Sequence, residues 1–298
     1  MTAPTGRQIE LRLGDRHAVV TETGGTLRSF RVGGRDVVVP FAVDELPPAV
    51  HGAVLIPWPN RIGDGRYSFD GKEYQLDLSE PERSNAIHGL VRHTRWSVSE
   101  QSDASVRLEL DLVPRLGYPF SLRFSLDYDL SPDALRVTLT ATNIGDRTAP
   151  YGAGFHPWLS PGAHRLEDCA LSIDATSWVE VDDRLLPVTE SPDLPVEKDF
   201  RAARRIGATR LDDGFGATGE RSAVRLTDPD GVTATVWQEE GFACWQVFTG
   251  DGLPGQWLRS GLAAEPMTCA ADAFRTGERL IRLAPGATHT CRFGLGLA

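Results

Sequence analysis

Residues 121–143 read SLRFSLDYDLSPDALRVTLTATN, and their period decides the fold class. Leu122, Phe124, Leu126, Tyr128 and Leu130 alternate with serine, arginine and aspartate, and Leu135, Val137, Leu139 and Ala141 repeat the pattern. Because successive side chains on a strand point to opposite faces, such a run lays one face on a core and leaves the other polar. Ser131-Pro132-Asp133 between the two runs is a turn signal, so the stretch predicts an antiparallel hairpin.

The same grammar recurs outward from it. Gly33-Gly34 separates TLRSFRV from RDVVV, Asp70-Gly71 separates RYSF from KEYQL, and Asp230-Gly231 separates AVRLT from VTATVW. Each is a two-residue link of the type that favours tight antiparallel pairing. The C-terminal RLIRLAPGATHTCRFGLGL also reads as strand. Helical periodicity is confined to CAADAFRTG (269–277), closed by Gly277, and nothing alternates strand with long amphipathic helix as a doubly wound α/β fold requires. The expectation is all-β: a large antiparallel β-sandwich with few short helices, residues 1–298 forming a single domain. Segments 40–66, 79–95, 157–165 and 183–220, rich in Pro, Gly, Asp and Arg, read as long loops, the usual carriers of function.

Composition narrows the partners. The formal net charge of −10 argues against nucleic acid or an anionic membrane surface. The four cysteines, at 169, 244, 269 and 291, show no CxxC spacing and fit reduced core thiols. The N-terminal stretch lacks an apolar signal core and no run approaches about 18 apolar residues, so a cytoplasmic protein is expected.

The polar residues with chemical promise lie in or beside the irregular segments. YGAGFHPWL (151–159) presents His156 between Phe155 and Pro157, with Gly152 and Gly154 permitting close backbone approach and Trp158 offering a flat apolar face. An imidazole beside an aromatic platform suits proton transfer to a bound sugar; the plainer use is a core-edge histidine bonded to backbone. Asn60 and Arg61 stand together in PWPNRIGDG, where a guanidinium fork matches paired hydroxyls or a carboxylate, or else makes a surface ion pair. NAIHGLVRH (85–93) delivers His88 from a tight turn, and His93 reads as structural. RLDDGFG (210–216) carries Asp212-Asp213, a hydroxyl acceptor or an Asx turn. In GLAAEPMT (261–268), Glu265 has uncharged neighbours; burial there raises a carboxyl pKa and makes a better base near neutrality, though a structural glutamate tied to an arginine has the same surroundings. His88, His156, Asp212 and Glu265 lack the short spacing of a metal site, and no nucleotide, phosphate-loop or nucleophile-elbow motif is present. No metal and no cofactor are expected.

Five of these elements, in order, resemble the aldose 1-epimerase (galactose mutarotase) family: the NRI of Asn60–Ile62, the NxxHG of Asn85–Gly89, the GFHPWL of Gly154–Leu159, the Asp212-Asp213-Gly214-Phe215 segment and the EPMT of Glu265–Thr268. TETGGTLRSFRVGGRDVV (21–38) also resembles that family's opening hairpin, so the likeness runs over roughly residues 10–295. The resemblance implies a β-sandwich whose open groove binds a free monosaccharide, as a monomer or weak homodimer. It assigns Glu265 as the base at the anomeric hydroxyl and His156 as the acid at the ring oxygen. Arg61, Asn60, His88, Asp212 and Trp158 would contact the sugar. Met267 where Gln is frequent, Arg275-Thr276-Gly277 where Asn-Gly is frequent, and Trp158 where Tyr is common bear on which sugar is taken.

Three other readings share these residues. A hexose-6-phosphate 1-epimerase would draw a phosphate-binding patch from Arg83, Arg92 and Arg95. A sugar-binding or sensor protein would keep the scaffold without needing proton exchange. A glycoside hydrolase would pair Glu265 with Asp212 as its two carboxyl groups.

Overall fold

The computed structural model describes residues 3–219 and 221–298. The fold-deciding stretch forms strands Leu122–Leu130 and Leu135–Asn143, in which Phe124 faces Ala141, Leu126 faces Leu139 and Tyr128 faces Val137. Apolar side chains therefore stack in register on one face, where each is fully buried, as the period predicts. The Gly33-Gly34, Asp70-Gly71 and Asp230-Gly231 links each join adjacent antiparallel strands. The one α-helix among the described residues is Ala273–Thr276, ended by Gly277. No helix among them is long and apolar enough to cross a membrane, and all four cysteines are free and buried.

Two large antiparallel sheets carry the architecture. The first has nine strands, with the hairpin followed in space by Thr288–Leu297, so that the end of the chain lies beside its middle. The second has eight, with Asp212–Ala217, Cys244–Phe248 and Leu262–Met267 consecutive at its centre and His156 delivered between the short strands Gly154–Phe155 and Trp158–Leu159. Their inner faces meet: Phe155 packs on Phe293 at 4.6 Å between ring centres, and the Trp245 indole donates to Ser222 Oγ at 2.8 Å. A continuous apolar cluster runs from Ile9 to Leu295 through both sheets.

The segments read as loops are more ordered than their composition suggests. Segment 40–66 contains the paired strands Val54–Leu55 and Arg61–Gly63, and 183–220 contains Pro187–Ser191, Arg204–Arg205 and Asp212–Ala217. DDGFGA lacks strand propensity, but it pairs on both edges, with Ala175–Val181 and with Cys244–Phe248, and that double pairing overrides local preference.

Two glycines show why the motifs are spelled as they are. A side chain at Gly154 would put Cβ 2.8 Å from Pro59 Cβ, so the His156 segment can lie against the Asn60 segment only without one. Gly89, at φ +68°, follows His88 at φ +62° and would place a Cβ 2.0 Å from the Ile56 carbonyl oxygen. Gly89→Ala should therefore lower the urea midpoint at unchanged slope, by strain of at least about 1–2 kcal/mol from the left-handed backbone alone. A midpoint equal to the parent's would show that this turn tolerates Cβ.

Candidate active site

Alternation along the central strands of the eight-stranded sheet builds the floor. In Leu262–Met267 all six residues are buried, and Glu265 pairs across the ladder with Gln246, which in turn pairs with Gly214. Asp212, two residues before Gly214, thus joins the same face as Gln246 and Glu265. The strand Arg61–Gly63 pairs with Asn85–Ile87, and the His88 N–H donates to the Asn60 carbonyl at 3.0 Å, which fixes both motifs on one wall. His156 comes from the opposite side. Asn60, Arg61, His88, His156, Asp212 and Glu265 line one cavity of about 260 Å³, close to the lower end of small-molecule pockets at about 300 Å³ and sized for one monosaccharide.

Glu265 and His156 meet. His156 Nε2 lies 3.3 Å from Glu265 Oε1, with Glu265 2% and His156 5% exposed. Neither Glu265 Oε2 nor His156 Nδ1 has a partner in the protein. Burial, reinforced by the Asp212 charge and opposed by Arg61, pushes the Glu265 carboxyl well above its usual range. Burial, with smaller effects from His51 and Arg92, lowers His156 to about 3. Burial thus disfavours the charged form of both groups. His88 stands edge-on to His156 at 5.5 Å and is likewise pushed well below the usual imidazole value, by burial first and then by His156.

Arg61 is not a surface residue. Its Nε and Nη2 donate to the two oxygens of Glu80 at 2.9 and 3.0 Å, and Asn85 Nδ2 donates to Glu80 Oε2 at 2.8 Å. Burial would raise the Glu80 carboxyl, but these hydrogen bonds hold it below its usual range. The guanidinium remains 4.0 Å from Asp212, whose Oδ1 accepts from Gln246 Nε2 at 2.7 Å. Asp213 points elsewhere, to Trp178 Nε1 at 2.7 Å and Lys198 Nζ at 2.8 Å.

Trp158, expected to contact the sugar, lies behind the cavity wall. It is 1% exposed and does not line the cavity. Its ring lies between His51, at 4.3 Å and 7°, and His156, at 5.8 Å and 16°, so it backs the histidine instead of facing a ligand. Arg92 and Arg95 also lie outside the cavity lining; Arg83 reaches it but contacts Glu80 at 3.2 Å and Glu82 at 3.9 Å. Gln246, Phe248 and Asp251 line the cavity without having been singled out. Gln246 could have been found as a polar residue at an inward position of CWQVF; Glu80, the partner of Arg61, left no local signal. Among the described residues, the grouping of three potential metal-ligating side chains within 4.8 Å is His164, Asp228 and Asp230, away from this cavity and with Asp228 tied to Arg35.

Residues 7–295 match the family described as Aldose 1-epimerase. The chain is 34% identical over 294 residues to the uncharacterised protein YihR of Escherichia coli K12, covering 98% of this chain and 93% of that one. It is 27% identical over 210 residues to the aldose 1-epimerase of the same organism, covering 66% and 60%. The GalM/aldose epimerase homologue from C. elegans superposes with a TM-score of 0.87 at 18% identity, covering 98% of each chain, a likeness of fold. With the family matched over nearly its whole length, the chain belongs to the aldose 1-epimerase family.

Proposed function

We propose that the protein interconverts the α and β anomers of a free aldohexose such as glucose or galactose, by acid–base opening and reclosure of the pyranose ring. The observation that supports this most is the contact of Glu265 with His156, two residues far apart in sequence that approach to 3.3 Å at the cavity floor. In a pyranose the anomeric hydroxyl oxygen and the ring oxygen are bonded to the same carbon, so the base and the acid must sit side by side, as these do.

The steps balance on the pair. One proton crosses from carboxyl to imidazole, leaving a carboxylate that Arg61 stabilises and an imidazolium. The carboxylate takes the O1 proton as the bond from C1 to the ring oxygen breaks, and the imidazolium gives its proton to that oxygen. The aldehyde rotates about its bond to C2. Reclosure on the other face returns both protons to where they began, so the cycle consumes nothing. Arg61, Asn60, His88 and Asp212 hold hydroxyls in this reading. The uncharged sugar is preferred over a phosphorylated one because Arg61 and Arg83, the guanidiniums at the cavity, are already engaged by Glu80. A non-catalytic sugar binder would not need the unpartnered Glu265 oxygen.

Polarimetry on freshly dissolved α-glucose and α-galactose should show mutarotation well above the buffer rate; the buffer rate alone would mean a binder. Glu265→Gln and His156→Asn should each lower kcat by about 10²–10⁴-fold with the fold retained by circular dichroism, and a loss under threefold in both would refute the assignment. The pair loses its working state when a second proton reaches His156, at about 3, or when its single proton leaves the raised Glu265 carboxyl. A plot of kcat/KM against pH should therefore carry its acid limb near the His156 value of about 3, and an acid limb centred near the ordinary imidazole value of 6.5 would contradict a buried, neutral His156.

A further inference from the structure

His88 faces the sugar cavity, and the next two residues, Gly89 and Leu90, line a second hollow of about 320 Å³. Into this hollow come Arg92, Arg115, His93 and a single carboxylate, Asp77. Among the described residues neither arginine has a carboxylate within 4.0 Å or a side-chain hydrogen bond to the protein, whereas the neighbouring Arg95 is paired with Glu22 at 3.4 Å. A guanidinium carries five N–H donors, so Arg92, half-buried, and Arg115, exposed, both bring unused donors to the hollow. Burial pushes Arg92 below its usual range. Apart from Ser79, the rest of the wall is apolar. The Trp58 ring forms part of it, with an indole N–H that has no acceptor, and Leu116 stands beside it at 93% exposure, the most exposed large apolar side chain among the described residues.

We propose that this hollow is a second ligand site, taking a small organic oxyanion whose carboxylate or phosphate is held by Arg92 and Arg115 and whose apolar body packs on Trp58 and Leu116. Guanidinium forks match both oxyanions in the same two-bond geometry. The assignment does not depend on the reaction at the sugar cavity.

Calorimetric titration of the full chain with phenyl phosphate, benzoate and inorganic phosphate tests this. Saturable one-to-one binding of phenyl phosphate or benzoate is expected, at least tenfold tighter than inorganic phosphate; which of the two binds tells phosphate from carboxylate. Arg115→Gln, a surface change that does not endanger folding, and Arg92→Gln should each weaken it at least tenfold, while Glu265→Gln should leave it within twofold. Absence of saturable binding, equal affinity for inorganic phosphate, or weakening by Glu265→Gln but not by Arg115→Gln would place the anion elsewhere and overturn the proposal.

Discussion

A carboxyl group on the middle of a strand buried along its whole length is the constraint around which the site is arranged. Glu265 is 2% exposed there, between the buried Ala264 and Pro266. The chain supplies it with one imidazole, one guanidinium field and one competing carboxylate, and leaves its second oxygen open. Burial keeps the group protonated, yet the nearby cation keeps the ionised form within reach. Such opposed influences suit the base role proposed for Glu265.

That cation is itself held in place. Arg61 spends two donors on Glu80, and Asn85 and Arg83 bind the same carboxylate, so the charge facing Asp212 and Glu265 sits in a rigid frame. Removing one member of a buried pair costs about 3–5 kcal/mol because the other is left without compensation. A change at Arg61 therefore alters stability along with the sugar contact proposed for it, and its kinetic effect has to be read beside the folding transition.

The walls of the cavity are made of unusual backbone. Asn60 and His88 both have positive φ, at 52° and 62°, and they are joined by the His88 N–H to Asn60 carbonyl bond; Ala49 and Val50, which also line the cavity, are left-handed too. Non-glycine residues in that region cost of order 1–3 kcal/mol each and persist where the surroundings impose them. Here the gain is direction: both side chains are turned inward, away from the alternation that a regular strand would dictate. Behind the other wall, the His51–Trp158–His156 stack fixes the plane of the imidazole.

The sequence by itself determined what depends on periodicity and local chemistry. Alternation over 121–143 set the fold class and the hairpin, diglycine and Asp-Gly links set the turns, and motif spelling singled out Asn60, Arg61, His88, His156, Asp212 and Glu265, all of which line one cavity. What it could not hold was the outcome of long-range pairing. That DDGFGA is a strand, that Glu80 is the partner of Arg61, that Trp158 lies behind His156, and that Arg92 opens into a separate hollow are all set by which segments the sheets bring side by side. Propensity and spacing are properties of neighbours along the chain, whereas burial, ion pairing and the contact of Glu265 with His156 are properties of neighbours in space.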